Sequence, residues 1–163
     1  MCIKNRRGCE VVVPQLPNGD DQNLANWQSI FLDQVGELDE NTILVGHSIA
    51  PAFLLALLSI PNKKVKAFIS VSGFLHDLGF PDFDLVNKTF THYDFDWDTV
   101  KSNVHAGFAF HGVDDPYVPV WMGQEIADLL NVKLEEIPSG GHLNESAGFI
   151  EVPIILNKII EFL

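Results

Sequence analysis

The sequence predicts an α/β fold: a three-layer α/β/α sandwich around a mostly parallel sheet, formed as a single domain over residues 1–163. Three observations predict it. Short apolar runs at residues 10–13, 43–45, 67–71, 106–110 and 133–137 alternate with segments of helical length, the rhythm of parallel strands joined by crossover helices. A hydrophobic fraction of 47% and a mean hydropathy of +0.14 suit a buried sheet. Finally, Gly46-His47-Ser48-Ile49-Ala50 stands between an apolar strand and an apolar helix.

Taken in order, residues 1–8 read as the end of a helix stopped by Gly8. Glu10-Val11-Val12-Val13 reads as a short buried strand closed by Pro14, and residues 14–21 as a loop dense in Pro, Gly, Asn and Asp. Residues 23–37 suit an amphipathic helix with Leu24, Trp27, Ile30, Phe31 and Leu38 inward. Lys63-Lys64 makes a solvated turn before the strand at 67–71. Residues 73–98 differ in texture, being aromatic, acidic and broken by Gly79 and Pro81, and read as an irregular, lid-like insertion ending near a short helix at 97–103. A strand at 106–110, a helix at 120–130, a strand at 133–137 and a helix from Gly148 onward, delayed by Pro153, complete the chain.

Composition excludes several classes of protein. The net charge of −12 disfavours nucleic acid or an anionic membrane as partner, since both require clustered Lys and Arg. No apolar run reaches the roughly eighteen residues of a membrane helix, and the basic residues 2–7 lead into no leader-like apolar block. Cys2 and Cys9 match no metal spacing and no disulfide framework, so a cytoplasmic setting is expected.

The chemistry centres on Ser48. A serine at the apex of a strand-turn-helix is thrust out at the carboxyl end of the sheet, where ligands of open α/β proteins sit. Small residues two places either side, Gly46 and Ala50, let strand and helix cross closely around a strained backbone. The turn also aims the first helical amides, Ile49 foremost, at the place where an oxyanion would form. A Gly-x-Ser-x-Gly/Ala string arises by chance in roughly one chain of this length in ten, and an ordinary helix N-cap is the competing reading. The flanking strand and helix favour a nucleophile.

A hydroxyl nucleophile needs a base, and the base an orienting acid. Of the six histidines, His47 adjoins the serine and should point elsewhere, His76 and His92 lie in the lid-like segment, and His105 begins a strand at the wrong end of the sheet. His111 ends a strand at the right end and competes with His142. The latter lies in the Gly-rich loop Ser139-Gly140-Gly141-His142, just past the last strand, which could reach back over Ser48. Asp114 and Asp115, after the 106–110 strand, are the candidate acids, although an Asp-Pro turn suits them too. The order Ser, Asp, His along the chain belongs to one particular arrangement of such triads. Phe74, Leu75 and Phe80, with Phe83, Phe95 and Tyr117, are candidates for an apolar substrate pocket.

On these residues the chain resembles the α/β-hydrolase superfamily, and more narrowly the small serine hydrolases related to retinoblastoma-binding protein nine and bacterial YdeN. The likeness is carried by residues 12–18 (Val-Val-Pro-Gln-Leu-Pro-Asn), Gly46-His47-Ser48-Ile49-Ala50, residues 114–119 (Asp-Asp-Pro-Tyr-Val-Pro) and Gly140-Gly141-His142, and it covers almost the whole chain. Trp97-Asp98, Val100-Lys101 and Asn103 add to it. The resemblance implies an α/β-hydrolase fold with Ser48 as nucleophile, His142 as base and Asp115 as acid, Asp114 being the alternative. It implies hydrolysis of a small-molecule ester or amide through an acyl-enzyme, with no metal and no cofactor.

The resemblance also implies a departure. Such proteins begin with a further strand, a Gly-rich loop giving a second oxyanion amide, and a helix; this chain starts near the end of that helix, as a truncated version would. In the family that strand lies between the one matching residues 10–13 and the nucleophile strand. Its absence should leave a gap inside the sheet, or residues 10–13 should slide across to pair with 43–45. A catalytically weak or inactive binding protein on the same fold is therefore the competing expectation. Binding of the retinoblastoma protein is not carried over, because Arg7-Gly8-Cys9-Glu10-Val11 lacks the Leu-x-Cys-x-Glu pattern.

Overall fold

Residues 9–163 are described by a computed structural model. The apolar run Ile43–His47 forms β1, followed by Val65–Val71 (β2), Val104–Gly112 (β3) and Lys133–Ile137 (β4). These four strands make one sheet in the order β1-β2-β3-β4, every pairing parallel. Parallel neighbours require crossover connections, and helices supply them. The helices are Leu24–Val35 (α1), Ala50–Leu58 (α2), Pro81–Thr91 (α3), Trp97–Asn103 (α4), Val120–Leu130 (α5) and Pro153–Phe162 (α6).

Alternation along the strands separates the two layers of helix. On β2, Phe68 joins a large core with Trp27 and Phe31 of α1, Phe53, Leu55 and Leu58 of α2, Phe90 of α3, Val100 of α4 and Ile126 of α5. Ile69 and Val71 face the other way, and with Phe108 and Phe110 of β3 they meet Ile155 and Ile159 of α6. Among the described residues, five helices thus cover one face, and α6 the other. Trp27 ties α1 down: its ring meets Phe53 edge-on at 5.3 Å and its indole N–H donates to the Pro17 carbonyl at 2.9 Å. Truncating a side chain as buried as Phe53 would cost about 3–5 kcal/mol.

Three expectations are corrected. Residues 10–13 form no strand, and Val11, Val12 and Val13 are exposed. The sheet has no internal gap either, because among the described residues nothing pairs beyond β1. A strand needs a neighbour for its backbone groups; lacking one, this apolar run stays in solvent. Residues 73–98 are also more regular than their composition implies, since they hold the eleven-residue α3. Its buried side includes Asn87 and Thr91 as well as Phe90, so polar residues hide the helical period. Asn87 is kept inside by accepting from Gln22 at 2.7 Å and donating to the Phe83 carbonyl at 2.9 Å. Pro81 in the first turn and Asp82 and Asp84 at the positive end of the dipole explain why the helix starts there. The expected helix at residues 1–8 lies outside the described residues. Among the described residues no helix is long and apolar enough to cross a membrane.

Candidate active site

Ser48 follows β1 directly and has φ of 63°, in the left-handed region that non-glycine residues enter only when the surroundings hold them there. Two contacts hold it. The Ser48 N–H donates to the Val71 carbonyl at 3.0 Å, extending the β1–β2 ladder past the strand end. A Cβ on Gly46 would meet the Pro51 nitrogen at 2.7 Å and the Ala50 carbonyl carbon at 3.0 Å, so only glycine lets α2 fold back this tightly. Ile49 is the N-cap residue of α2, and among the described residues its amide donates to no protein acceptor. That amide lies beside Ser48 at the positive end of the helix.

The second component comes from the loop after β3. Asp115 folds into a turn in which its Oδ1 accepts from the amides of Tyr117 at 2.9 Å and Val118 at 3.0 Å. Its Oδ2 accepts the Nδ1–H of His142 at 2.7 Å. The Asp115 side chain is 1% exposed. Burial by itself would push its carboxyl up, but the bonds from His142, Val118 and Tyr117 outweigh this and hold it below the ordinary carboxylate range. With Nδ1 donating to a carboxylate, Nε2 of His142 is the lone-pair nitrogen, and it lies 3.1 Å from Ser48 Oγ. The loop after β4 thus brings His142 between Ser48 and Asp115.

Asp114 lies next to Asp115 but faces elsewhere, its Oδ1 accepting from the Gly141 amide at 2.9 Å. Four of the other histidines are also engaged. His111, fully buried, donates from Nε2 to the Val118 carbonyl at 2.9 Å and stands 3.7 Å from Asp115 Oδ2. Burial pulls its pKa down despite the Val118 bond and the Asp115 charge. His47 donates from Nε2 to the His142 carbonyl at 2.8 Å; burial pulls its pKa down too, against the pull of that carbonyl. His76 meets Glu125 and His92 meets Asp77.

A cavity of about 420 Å³ opens over Ser48 and His142, walled by Leu78, Phe80, Phe83, Tyr117 and Val118. Of the residues the sequence put forward for a pocket, Phe80, Phe83 and Tyr117 face it. Phe74 and Leu75 do not; both are buried in the core under α3. Phe95 instead packs against Tyr93 and Trp97. Leu78 and Val118 were not foreseen. Leu78 is held at the cavity by its amide and that of Gly79, both tied to the Asp84 carboxylate at 2.7 and 2.9 Å, a turn contact with no periodic signature.

A parallel sheet flanked by helices, with a serine on a sharp strand-to-helix turn, defines the α/β-hydrolase fold. Within that class the chain belongs to the serine hydrolase family, whose model matches residues 3–161. It is 28% identical over 157 residues to YdeN of Bacillus subtilis (strain 168), a protein named as a hydrolase, covering 95% of this chain and 81% of that one. It is 30% identical over 116 residues to the serine hydrolase RBBP9 of Rattus norvegicus, covering 71% of this chain and 60% of that relative. The crystal structure of the B. subtilis ydeN product aligns with a TM-score of 0.76 at 26% identity, over 86% of this chain and 75% of the other. The chain is accordingly an enzyme of the hydrolase class.

Proposed function

We propose that this chain cleaves a small ester or amide through an acyl-enzyme. Ser48 is the nucleophile, His142 the general base that becomes the general acid, and Asp115 the carboxylate that fixes the imidazole tautomer. The observation that carries this reading is the unbroken line of hydrogen bonds from Ser48 Oγ through His142 to Asp115, at 3.1 and 2.7 Å. In the first step Oγ attacks the carbonyl carbon while its proton passes to His142 Nε2, and Asp115 stabilises the imidazolium so formed. The oxyanion meets the Ile49 amide; a donor of this kind is worth about 3 kcal/mol of barrier. His142 then protonates the leaving alcohol or amine, and water repeats the sequence to free the acid.

The apolar cavity wall of Leu78, Phe80 and Phe83 supports an uncharged apolar group on the substrate, with residues 73–98 acting as a lid over it. A fluorophosphonate probe tests the proposal: it should label the wild-type protein and leave Ser48→Ala unlabelled. The competing reading, a binding protein with little turnover, draws on Ile49 being the single oxyanion donor identified in the site. It predicts no labelling of the wild type while an apolar ester still binds in the cavity.

A further inference from the structure

The triad geometry leaves one question open: what holds the backbone that carries His142. This residue stands between Gly141 and Leu143, both at φ 48°. Left-handed backbone at leucine is strained and persists only when neighbours enforce it. The local turn supplies one restraint, Leu143 N–H to the Gly140 carbonyl at 3.0 Å, and the buried Leu143 side chain a second. Neither fixes how far the loop leans toward Ser48.

Two side chains from elsewhere in the chain do. Asp114 Oδ1 accepts the Gly141 amide at 2.9 Å across 27 residues of sequence, and His47 Nε2–H donates to the His142 carbonyl at 2.8 Å across 95. The peptide joining Gly141 to His142 is therefore bracketed, with its preceding amide tied to the acid loop and its following carbonyl tied to the nucleophile turn. Resting on the triad reading above, we propose that Asp114 and His47 are positioning residues that clamp the His142 backbone, so that each of the two other triad-bearing turns also sets the place of the third. The adjacent aspartates divide the work: Asp115 orients the ring, and Asp114 orients the peptide that bears it. Neither Asp114 nor His47 touches substrate in this scheme.

Replacements that keep or remove the hydrogen bond separate the clamp from a mere effect of charge. Asn at position 114 keeps an acceptor oxygen but no charge, whereas Ala keeps neither; Gln at position 47 keeps a donor, whereas Phe does not. A displacement near 1 Å can cost about a hundredfold in rate. We therefore expect kcat on a p-nitrophenyl ester to fall about ten- to a hundredfold in Asp114→Ala and His47→Phe, with KM changing less than about twofold. Asp114→Asn and His47→Gln should recover most of that loss. The rate of fluorophosphonate labelling at Ser48 should follow the same order.

Equal losses in Asp114→Asn and Asp114→Ala, or labelling of Asp114→Ala as fast as wild type, would overturn the clamp while leaving the triad intact. Absence of labelling in the wild type would instead overturn the triad reading and the clamp with it. Circular dichroism identifies any variant that fails to fold. Should Asp114→Ala be one, the His47→Phe and His47→Gln pair decides: a rate restored by Gln supports the clamp, and equal loss in both sinks it.

Discussion

Gly112 and Gly141 meet backbone to backbone: a Cβ on Gly112 would collide with the Gly141 carbonyl oxygen and stand 2.9 Å from the Gly140 carbonyl carbon. The loop that carries Asp115 and the loop that carries His142 thus lie in direct contact, with no side chain between them. This contact is what lets a 2.7 Å bond form between Asp115 and His142.

Gly112→Ala should therefore part the two loops. The clash is with backbone, which cannot rotate out of the way, so overpacking should cost about 1–3 kcal/mol of stability and activity should drop about a hundredfold through misplacement. Thermal melting and ester turnover of the purified variant check both. A variant with wild-type turnover would contradict the contact.

Asp115→Asn should keep the fold and lose the chemistry. An amide at this site would donate to the imidazole or leave it in the wrong tautomer, so Nε2 could no longer take the serine proton. A loss of about 10³–10⁴ in kcat is expected, read by single-turnover hydrolysis, with KM little changed.

His111 carries a pH prediction. Its pKa in the folded protein is depressed below the ordinary value of 6.5 by burial, so the unfolded chain takes up the proton first as the solution is acidified. Its contribution to stability is whole above pH 6.5 and is lost as the pH falls through the depressed value. In His111→Gln, which retains a donor for the Val118 carbonyl, this contribution vanishes. Between pH 7 and 5 the melting temperature of the wild type should fall more than that of the variant. The effect of acid on the large net negative charge is common to both and cancels. Parallel melting curves across that range would refute the assignment.

Phe83 carries a specificity prediction. It lines the cavity from α3 with its ring partly in solvent. Phe83→Ser should lower kcat/KM for a hexanoyl p-nitrophenyl ester about tenfold relative to the acetyl ester, the scale of discrimination in an apolar pocket. An unchanged ratio between the two esters would remove Phe83 from substrate recognition.

Legibility of the fold followed the locality of its signals. The helix at Val120–Leu130 and the strand at Lys133–Ile137 were readable to the residue, because period and flanking turns lie within each segment. Residues 10–13 look like a strand by the same rule, yet a strand is a relation between two segments, and none of the described residues supplies the second. Helix α3 went unread because Asn87 and Thr91 sit on its buried face, satisfied by partners far along the chain.

The sequence by itself determined the alternation of strands and helices, the glycine-flanked bend at Ser48, and the order in which a hydroxyl, a pair of carboxylates and an imidazole appear. Each of those is written in neighbouring residues. Only the tertiary structure decided which carboxylate meets the imidazole and which the Gly141 amide, and that Leu78 rather than Phe74 walls the cavity. Such choices depend on where side chains point once remote loops are packed together, and adjacency in the chain places Asp114 and Asp115 side by side without saying which way either turns.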